Sequence, residues 1–363
     1  MVRRRTALAA AVAAPLGAAF GAGRGGSAVA APSLHASRDV ARTALFGRYA
    51  DSGVGWTGAD STYSVRLPDG RVVWIFSDTF LGPVEPDGSR PKDAPFLNNS
   101  FVVQRGPRLS TVHGGTADAP AALLPPDADG WYWAGAGMLG DGTLDVTYHQ
   151  FHRTGDGPLD FAWRRDVLAR FDLRTLAVRD VTPLPSAVPN VQSASWLTRL
   201  GGYTLIYRVE DTGPDKYLHL ARVRGADLRG RWEYRTATGW SRDETASARL
   251  LRGVSNEYSV TRVAGRWLLV TQDTTELLGP HLVGYWADSP LGPFGGKTPI
   301  WTAPEAGADG SYRNANVYAY NPHAHPELAA GGGFVVSYNV NSLDTDDVYE
   351  DVTIYRPRFL IVR

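Results

Sequence analysis

Residues 60–80 read DSTYSVRLPDGRVVWIFSDTF. Tyr63, Val65 and Leu67 alternate with polar neighbours, the period of a half-buried strand. Pro68-Asp69-Gly70 follows, and such a triplet predicts a tight turn because Asp and Gly accept the backbone angles that a hairpin needs. Residues 72–76 (VVWIF) predict a second strand, apolar enough to be buried on both faces. Folding this hairpin about Asp69-Gly70 brings Asp60 opposite residue 78 or 79. Asp60 and Asp78 are then expected at the same open end of one hairpin.

The pattern recurs four more times. Residues 137–150 (GMLGDGTLDVTYHQ), 195–211 (SWLTRLGGYTLIYRVED), 257–273 (EYSVTRVAGRWLLVTQD) and 325–341 (HPELAAGGGFVVSYNVN) each combine a strand, a glycine turn and an apolar strand ending in polar residues. The turn glycines Gly70, Gly142, Gly202, Gly265 and Gly332 are spaced by 72, 60, 63 and 67 residues. A β-only repeat of this length, with room for four strands, predicts a propeller. The expected fold is all-β: a five-bladed β-propeller of four-stranded antiparallel blades. Residues 166–180, the best helical candidate, alternate as two short strands. Residues 32–59 read as a loop-like lead-in, 82–95 as an exposed loop, and 98–104 as a strand. Residues 125–130 and 307–310 read as short connections. Residues 352–362 read as a terminal strand that closes the ring on the first or last blade.

The amino-terminal stretch differs from everything after it. Arg3-Arg4-Arg5 precedes an alanine-rich apolar run over 7–20, and Ala28-Val29-Ala30 has the small residues of a cleavage site. This predicts a twin-arginine export signal over residues 1–31, a single domain over 32–363, and an extracellular protein. The apolar run is shorter than the roughly 20 residues that a membrane span requires. The full chain carries 37 basic and 37 acidic side chains. Removing residues 1–31 takes away four arginines and no acid, leaving a net charge of −4. A mildly acidic chain is a poor partner for nucleic acid. There is no cysteine, which excludes disulfides and thiolate metal sites. A core of about 330 residues is large enough to hold such a fold without them, and a monomer is expected.

In a propeller the hairpin ends converge on one face. This chain would place there Asp60 and Asp78, then Trp131, Trp133 and His149, then Ser193, Glu210 and Asp211. The fourth hairpin adds Asn256, Glu257 and Asp273, and the fifth adds His323, His325, Asn339 and Asn341. An aspartate at a strand end is often only a turn cap, but five such ends on one face predict a site. Indoles stack on sugar rings while amides and carboxylates bind hydroxyls, so the ring of residues suits a carbohydrate. Trp131-Tyr132-Trp133 also reads as packing between blades. Tyr312, Tyr318 and Tyr320, interleaved with Asn314, Asn316 and Asn321, suit the rim. His323 and His325 share a strand face with Glu327, a spacing that metal ligands use. Pro326 intervenes and no third histidine is near, so one of the pair is read as an axial or substrate-contacting imidazole. No cofactor is expected, although a central channel has room for a structural calcium or other ion.

The hairpin repeat, the acid at Asp60 and the turn Ser289-Pro290-Leu291-Gly292-Pro293-Phe294 together resemble the five-bladed β-propeller glycoside hydrolases of arabinanase and levansucrase type. The stretches GADSTYSVRLPDGRVVWIFSDTFLG, NNSFVVQ and NPHAHPEL…SYNVNS are more closely similar to secreted actinobacterial domains of unknown function, one branch of which is similar to endo-D-arabinanases. The resemblance covers about residues 45–363. It implies a glycosidase with a carboxylate nucleophile or base at Asp60 and an acid at Glu257. Trp133 stands where a second inner strand would carry another acid, a departure that shifts weight onto Asp78. Two assignments follow. Either Asp60 reacts, Asp78 orients it and Glu257 is the acid, or Asp60 and Asp78 are the working pair and Glu257 binds substrate. The remaining substrate contacts would be Trp131, Trp133, Glu210, Asp211, Asp273, His323, His325 and Asn339. The alternative function is a non-catalytic glycan-binding propeller. A sialidase is disfavoured, because no S-x-D-x-G-x-x-W box appears.

The paired arginines generate one expectation about export. Replacing Arg4 and Arg5 together by lysine leaves precursor in the cytoplasm, as read by cell fractionation. Unchanged secretion would mean that the general export route is used.

Overall fold

Apolar alternation on both sides of a glycine turn makes a hairpin, and each of the five hairpins forms the first two strands of an antiparallel sheet. The computed structural model describes residues 32–126, 130–157, 160–213 and 215–363. The export segment 1–31, and residues 127–129 of one expected connection, lie outside the described residues. The first sheet joins Tyr63–Arg66, Val72–Phe76, Ser100–Arg105 and Arg108–Val112. The second joins Trp131–Leu139, Thr143–Arg153, Phe161–Asp172 and Val178–Pro183. The third begins with Val191–Leu200, Tyr203–Asp211, Lys216–Arg224 and Trp232–Arg235, and exceeds four strands by adding Trp240–Ser241 and Leu251–Arg252. The fourth joins Ser259–Val263, Arg266–Gln272, His281–Ala287 and Gly295–Thr302.

The fifth sheet ties the two ends of the described chain together. Val317–Ala330, Gly333–Ser342 and Arg358–Val362 are followed at the outer edge by Ala36–Arg38, which pairs antiparallel with the last strand. Two small sheets complete the set: Trp56–Ala59 with Thr79–Leu81 and Phe96–Leu97, and Gly114–Gly115 with Pro120–Ala121. All five turn glycines have positive φ, from 73° to 90°, which L-residues adopt only at a cost.

The first strand of each of the five main sheets touches the first strand of the next, and that of the fifth touches that of the first. Five buried apolar clusters lie between successive sheets. Val65, Ile75 and Phe101 of the first sheet meet Leu144, Val146 and Tyr148 of the second. Leu168 of the second meets Ile206 and Ala221 of the third. Leu205 and Tyr207 meet Val260 and Leu269, and Leu268 and Val270 meet Val336 and Tyr338. Trp74 and Phe76 of the first sheet meet Val335 and Phe359 of the fifth. Burying one such side chain contributes about 1.5–3 kcal/mol, so these seams are the main cohesive term.

Two sequence expectations are corrected. Residues 32–59 are not a loop-like lead-in: Val40–Ala50 is a helix, capped by the Asp39 carboxylate on the Arg42 amide. Its buried face is only Phe46 and Ala50, four residues apart, too narrow a stripe to announce a helix. Residues 352–362 are not one strand. Val352–Tyr355 is a 3-10 turn, and only Arg358–Val362 continues as strand. The turn sits against Gly58, where an added Cβ would stand 2.2 Å from the Tyr355 carbonyl oxygen.

Phe46 lies within 5.2–6.3 Å, ring to ring, of Trp56, Trp74, Phe76 and Phe359. Phe46→Ala is expected to cost about 3–5 kcal/mol of unfolding free energy, measured by denaturant titration.

Candidate active site

The hairpin register puts Asp60 opposite Asp78. Tyr63 pairs with Ile75 and Ala59 with Thr79, and the Asp60 amide donates to the Asp78 carbonyl at 3.2 Å. Between the two strand segments, Ser61 and Thr62 have φ of 68° and 61°, so the chain kinks there and turns Asp60 into a cleft of about 2210 Å³. Asp60 Oδ2 accepts the hydroxyls of Tyr320, at 2.7 Å, and Tyr355, at 2.8 Å. Asp60 Oδ1 is buried without a hydrogen-bond partner among the described residues. Asp78 Oδ1 accepts from Asn98 Nδ2 at 2.9 Å and from the Trp133 indole at 2.7 Å.

Glu257 enters the same cleft just before the first strand of the fourth sheet. Its Oε1 accepts from Ser61 Oγ and Asn321 Nδ2, both at 2.8 Å. Its Oε2 has no hydrogen bond among the described residues and faces His323 Nε2 at 3.4 Å. Ser61 therefore joins the two acids: its backbone follows Asp60 and its hydroxyl reaches Glu257.

Removal from water dominates the electrostatics. It pushes the Asp60 carboxyl up to about 6, against the pull of the Tyr320 and Tyr355 hydroxyls. The same desolvation, followed by the Asp60 charge, pushes Asp78 up to about 8. Glu257 is driven well above the usual carboxylate range by burial and then by Asp60. Asp60 is thus the first of the three to ionise, and its charge holds the proton on the others. Burial lowers His323 to about 3, so the imidazole behind Glu257 is neutral.

Trp131, Trp133, Phe151 and Phe161 line the cleft beside Asp78. Trp133 lies 4.6 Å from Phe151 and 5.0 Å from Phe161, and Trp131 lies 5.5 Å from Trp133. The indoles therefore pack between elements and also face the cleft. His149 lines the same wall, its Nδ1 2.8 Å from Asp166 Oδ1. Among the described residues no three or more histidines and acids are grouped to hold a metal ion, and no helix is long and apolar enough to cross a membrane.

The family model called domain of unknown function, DUF5005, matches residues 43–363. The chain belongs to the DUF5005 family. None of the curated protein sequences matches it. A candidate hydrolase from Bacteroides ovatus has a similar structure, with a TM-score of 0.74 and 21% identity over 90% of each chain. The GH43_1 enzyme from Xanthomonas citri, solved with xylotriose, is similar at a TM-score of 0.51 and 13% identity, over 89% of this chain and 93% of that one. At these identities the likeness is one of fold.

The DUF5005 fold brings Asp60, Asp78, Glu257, Trp131, Trp133 and Asp211 to one cleft and leaves other expected residues outside it. Asp211 accepts from Asn256 Nδ2 at 2.7 Å and pairs with Lys216 at 2.5 Å. Glu210, the preceding residue, does not line the cleft. It is clamped by Arg249 at 2.6 and 2.7 Å and touched by His219, and the Arg249 hydrogen bonds lead in lowering it to about 2. Asp273 is also corrected: it pairs with Lys297 at 2.7 Å beside a separate hollow of about 200 Å³. Asn339 is fully buried and donates to the Ala59 carbonyl and Thr62 Oγ1, bracing the backbone next to Asp60.

The histidines move for a geometric reason. Pairing shifts by one between Tyr320 and His323, where Asn321 has φ of 51°. The bulge leaves Tyr318, Tyr320 and Asn321 at the cleft and turns the next residues into the packing. His323 packs against Tyr63 with ring centres 3.9 Å apart and planes tilted by 39°, and His325 is held by Ser64 Oγ at 2.5 Å and Ser337 Oγ at 2.8 Å. Neither lines the cleft. Tyr355, Asn98 and Ser61 were missed in the sequence. Asn98 carried a signal, since it follows the exposed loop directly before a strand. Tyr355 carried none, because its segment alternates like a strand.

The raised carboxyls make stability pH-dependent. The folded chain keeps protons on Asp78 and Glu257 that the unfolded chain releases near pH 4, so stability falls as pH rises from about 4 towards 8. Asp78→Asn keeps an oxygen to accept from Asn98 and Trp133 and removes the burden of ionisation. Its melting temperature is expected to exceed the wild type at pH 8, with a smaller gain at pH 4, by calorimetry at both values.

Proposed function

We propose that this chain is an exported glycoside hydrolase built as a five-bladed β-propeller, cleaving an oligo- or polysaccharide. The observation that carries the reading is the unequal treatment of three carboxyls in one cleft. Both Asp60 and Glu257 accept two hydrogen bonds on one oxygen, but burial raises Asp60 only to about 6 and drives Glu257 well above the carboxylate range, so Asp60 ionises first and Glu257 keeps its proton. Glycosidic cleavage needs one ionised and one protonated carboxyl at the same bond. In this reading Asp60 is the base or nucleophile and Glu257 donates the proton to the leaving oxygen. Asp78 stays protonated beside Asp60 and holds its orientation, which favours the first of the two sequence assignments.

Support for the fold comes from the five sheets whose first strands touch in sequence and return to the start, with Ala36–Arg38 completing the last. Support for a sugar comes from the indole wall beside Asp78 and from the similarity in fold to an enzyme solved with xylotriose. Trp131 and Trp133 would carry the sugar faces, and Asp211 and Asn256 its hydroxyls. An arabinose- or galactose-containing envelope or plant polymer is the proposed substrate class, and the exported monomer would meet it outside the cell.

Reducing-sugar release across arabinans, galactans, fructans and xylans tests the activity. At least one polymer is expected to be cleaved, and Asp60→Asn is expected to abolish that cleavage while substrate still binds. Retention of more than about a tenth of the activity, a smaller loss than general acid–base catalysis supplies, would overturn the assignment of Asp60. Binding without release on every polymer would favour the non-catalytic glycan-binding alternative.

A further inference from the structure

The two oxygens of Asp60 are treated differently. Oδ2 receives both tyrosine hydroxyls, and Oδ1 has no hydrogen-bond partner among the described residues. The donors come from unrelated parts of the chain. Tyr320 stands on the first strand of the fifth sheet, just before its bulge. Tyr355 ends the 3-10 turn that leads into the terminal strand. Each donor is itself held. Asn341 Nδ2 approaches the Tyr320 hydroxyl at 3.4 Å, and the Tyr355 ring packs edge-on to Phe80 at 5.5 Å. A hydroxyl that donates to a carboxylate favours its charged form, and two donors on one oxygen also fix the plane of the carboxyl.

We infer that Tyr320 and Tyr355 are positioning residues that hold Asp60 by Oδ2 as the ionised carboxylate and reserve Oδ1 for the reaction. The inference rests on the glycosidase reading. In an inverting reaction Oδ1 takes a proton from water, the water oxygen bonds to the anomeric carbon, the glycosidic C–O bond breaks, and Glu257 gives its proton to the leaving oxygen. In a retaining reaction Oδ1 itself bonds to the anomeric carbon as the same C–O bond breaks and Glu257 protonates the leaving oxygen. Water then bonds to the anomeric carbon as the carbon–Oδ1 bond breaks, and its proton goes to the Glu257 carboxylate, which restores both groups. In both, Oδ2 keeps its two hydrogen bonds throughout, so the tyrosines never exchange a proton with substrate.

The groups facing Asp60 are Asp78 on the adjoining strand, Glu257 from the fourth sheet, Tyr318 and Tyr320 from the fifth, and Tyr355 from the turn, with Arg90 behind Tyr355. Of the three carboxyls, Asp60 alone hydrogen-bonds the tyrosines. A pH-dependent contribution from Tyr355 therefore reports on Asp60.

Tyr355→Phe and Tyr320→Phe each keep the ring and remove one donor. The melting temperature of each is compared with wild type at pH 5 and pH 7.5, in the natural chain and again with Asp60→Asn. The advantage of wild type over each variant is expected to grow from pH 5 to pH 7.5, because the hydrogen bond strengthens once Asp60 ionises. With Asp60→Asn present that growth is expected to vanish. An advantage that is flat with pH, or one that still grows with Asp60→Asn, would overturn the inference. On a glycan that the wild type cleaves, kcat is expected to fall about tenfold to a hundredfold with KM little changed, as for the loss of a hydrogen bond to a charged group. The acid limb of the kcat/KM profile is expected to rise by about one pH unit. An unmoved acid limb would also overturn it. If no glycan is cleaved but the melting-temperature pattern appears, the glycosidase reading fails while the hold on Asp60 stands.

Discussion

Three part-buried carboxyl groups at one cleft oppose one another's ionisation, and this constraint organises the site. Each charge placed there must be stabilised by fixed donors in place of solvent. Each carboxyl receives two donors on a single oxygen, but the donors differ in kind. Asp60 receives two hydroxyls on one oxygen, Asp78 an amide and an indole, and Glu257 a hydroxyl and an amide. Once Asp60 ionises, its field opposes ionisation of the other two. The balance favours one charge at Asp60 and retained protons on the other two, and among the described residues no arginine is hydrogen-bonded to these carboxyls.

Such an arrangement is costly and needs a frame that does not yield. The five apolar seams between successive sheets supply it, because they leave each hairpin little freedom to tilt. On that frame, local breaks aim the side chains. Ser61 and Thr62 kink the chain after Asp60, and Asn321 bulges the fifth sheet so that its amide reaches Glu257. The second and third sheets carry comparable shifts, between Ala134 and Gly137 and between Ser193 and Trp196. Each main sheet except the fourth thus has an irregular first strand, or irregular backbone just ahead of it, where the cleft begins. Regular alternation would send every second residue back into a seam.

The pairing of Ala36–Arg38 with the last strand has a second consequence. It secures the terminal segment, and the turn just ahead of that strand delivers Tyr355 to Asp60. Gly58 lets the turn approach closely, since any side chain there would meet the Tyr355 carbonyl. Closure of the fold and the electrostatics of the cleft therefore share one short stretch of chain.

The hairpins, their glycine turns and the meeting of Asp60 with Asp78 were legible in the sequence, because alternation and turn chemistry are local and register follows from them. Glu257 was legible as an acidic side chain just ahead of a repeated hairpin, and it lines the cleft. The sequence could not show which polar strand ends face the cleft. Glu210 and Asp211 are neighbours with the same composition signal, yet one is locked to Arg249 and the other lines the cleft. His323 and His325 looked exposed to substrate until the bulge at Asn321 turned them inward. Tyr355 was invisible, since its role depends on a turn that interrupts a strand-like pattern and on contact with a residue 295 positions away. Local pattern determined the strands and the pairing of the first two acids. Only long-range packing decided which oxygens lost water, which donors reached them, and hence which carboxyl carries the charge.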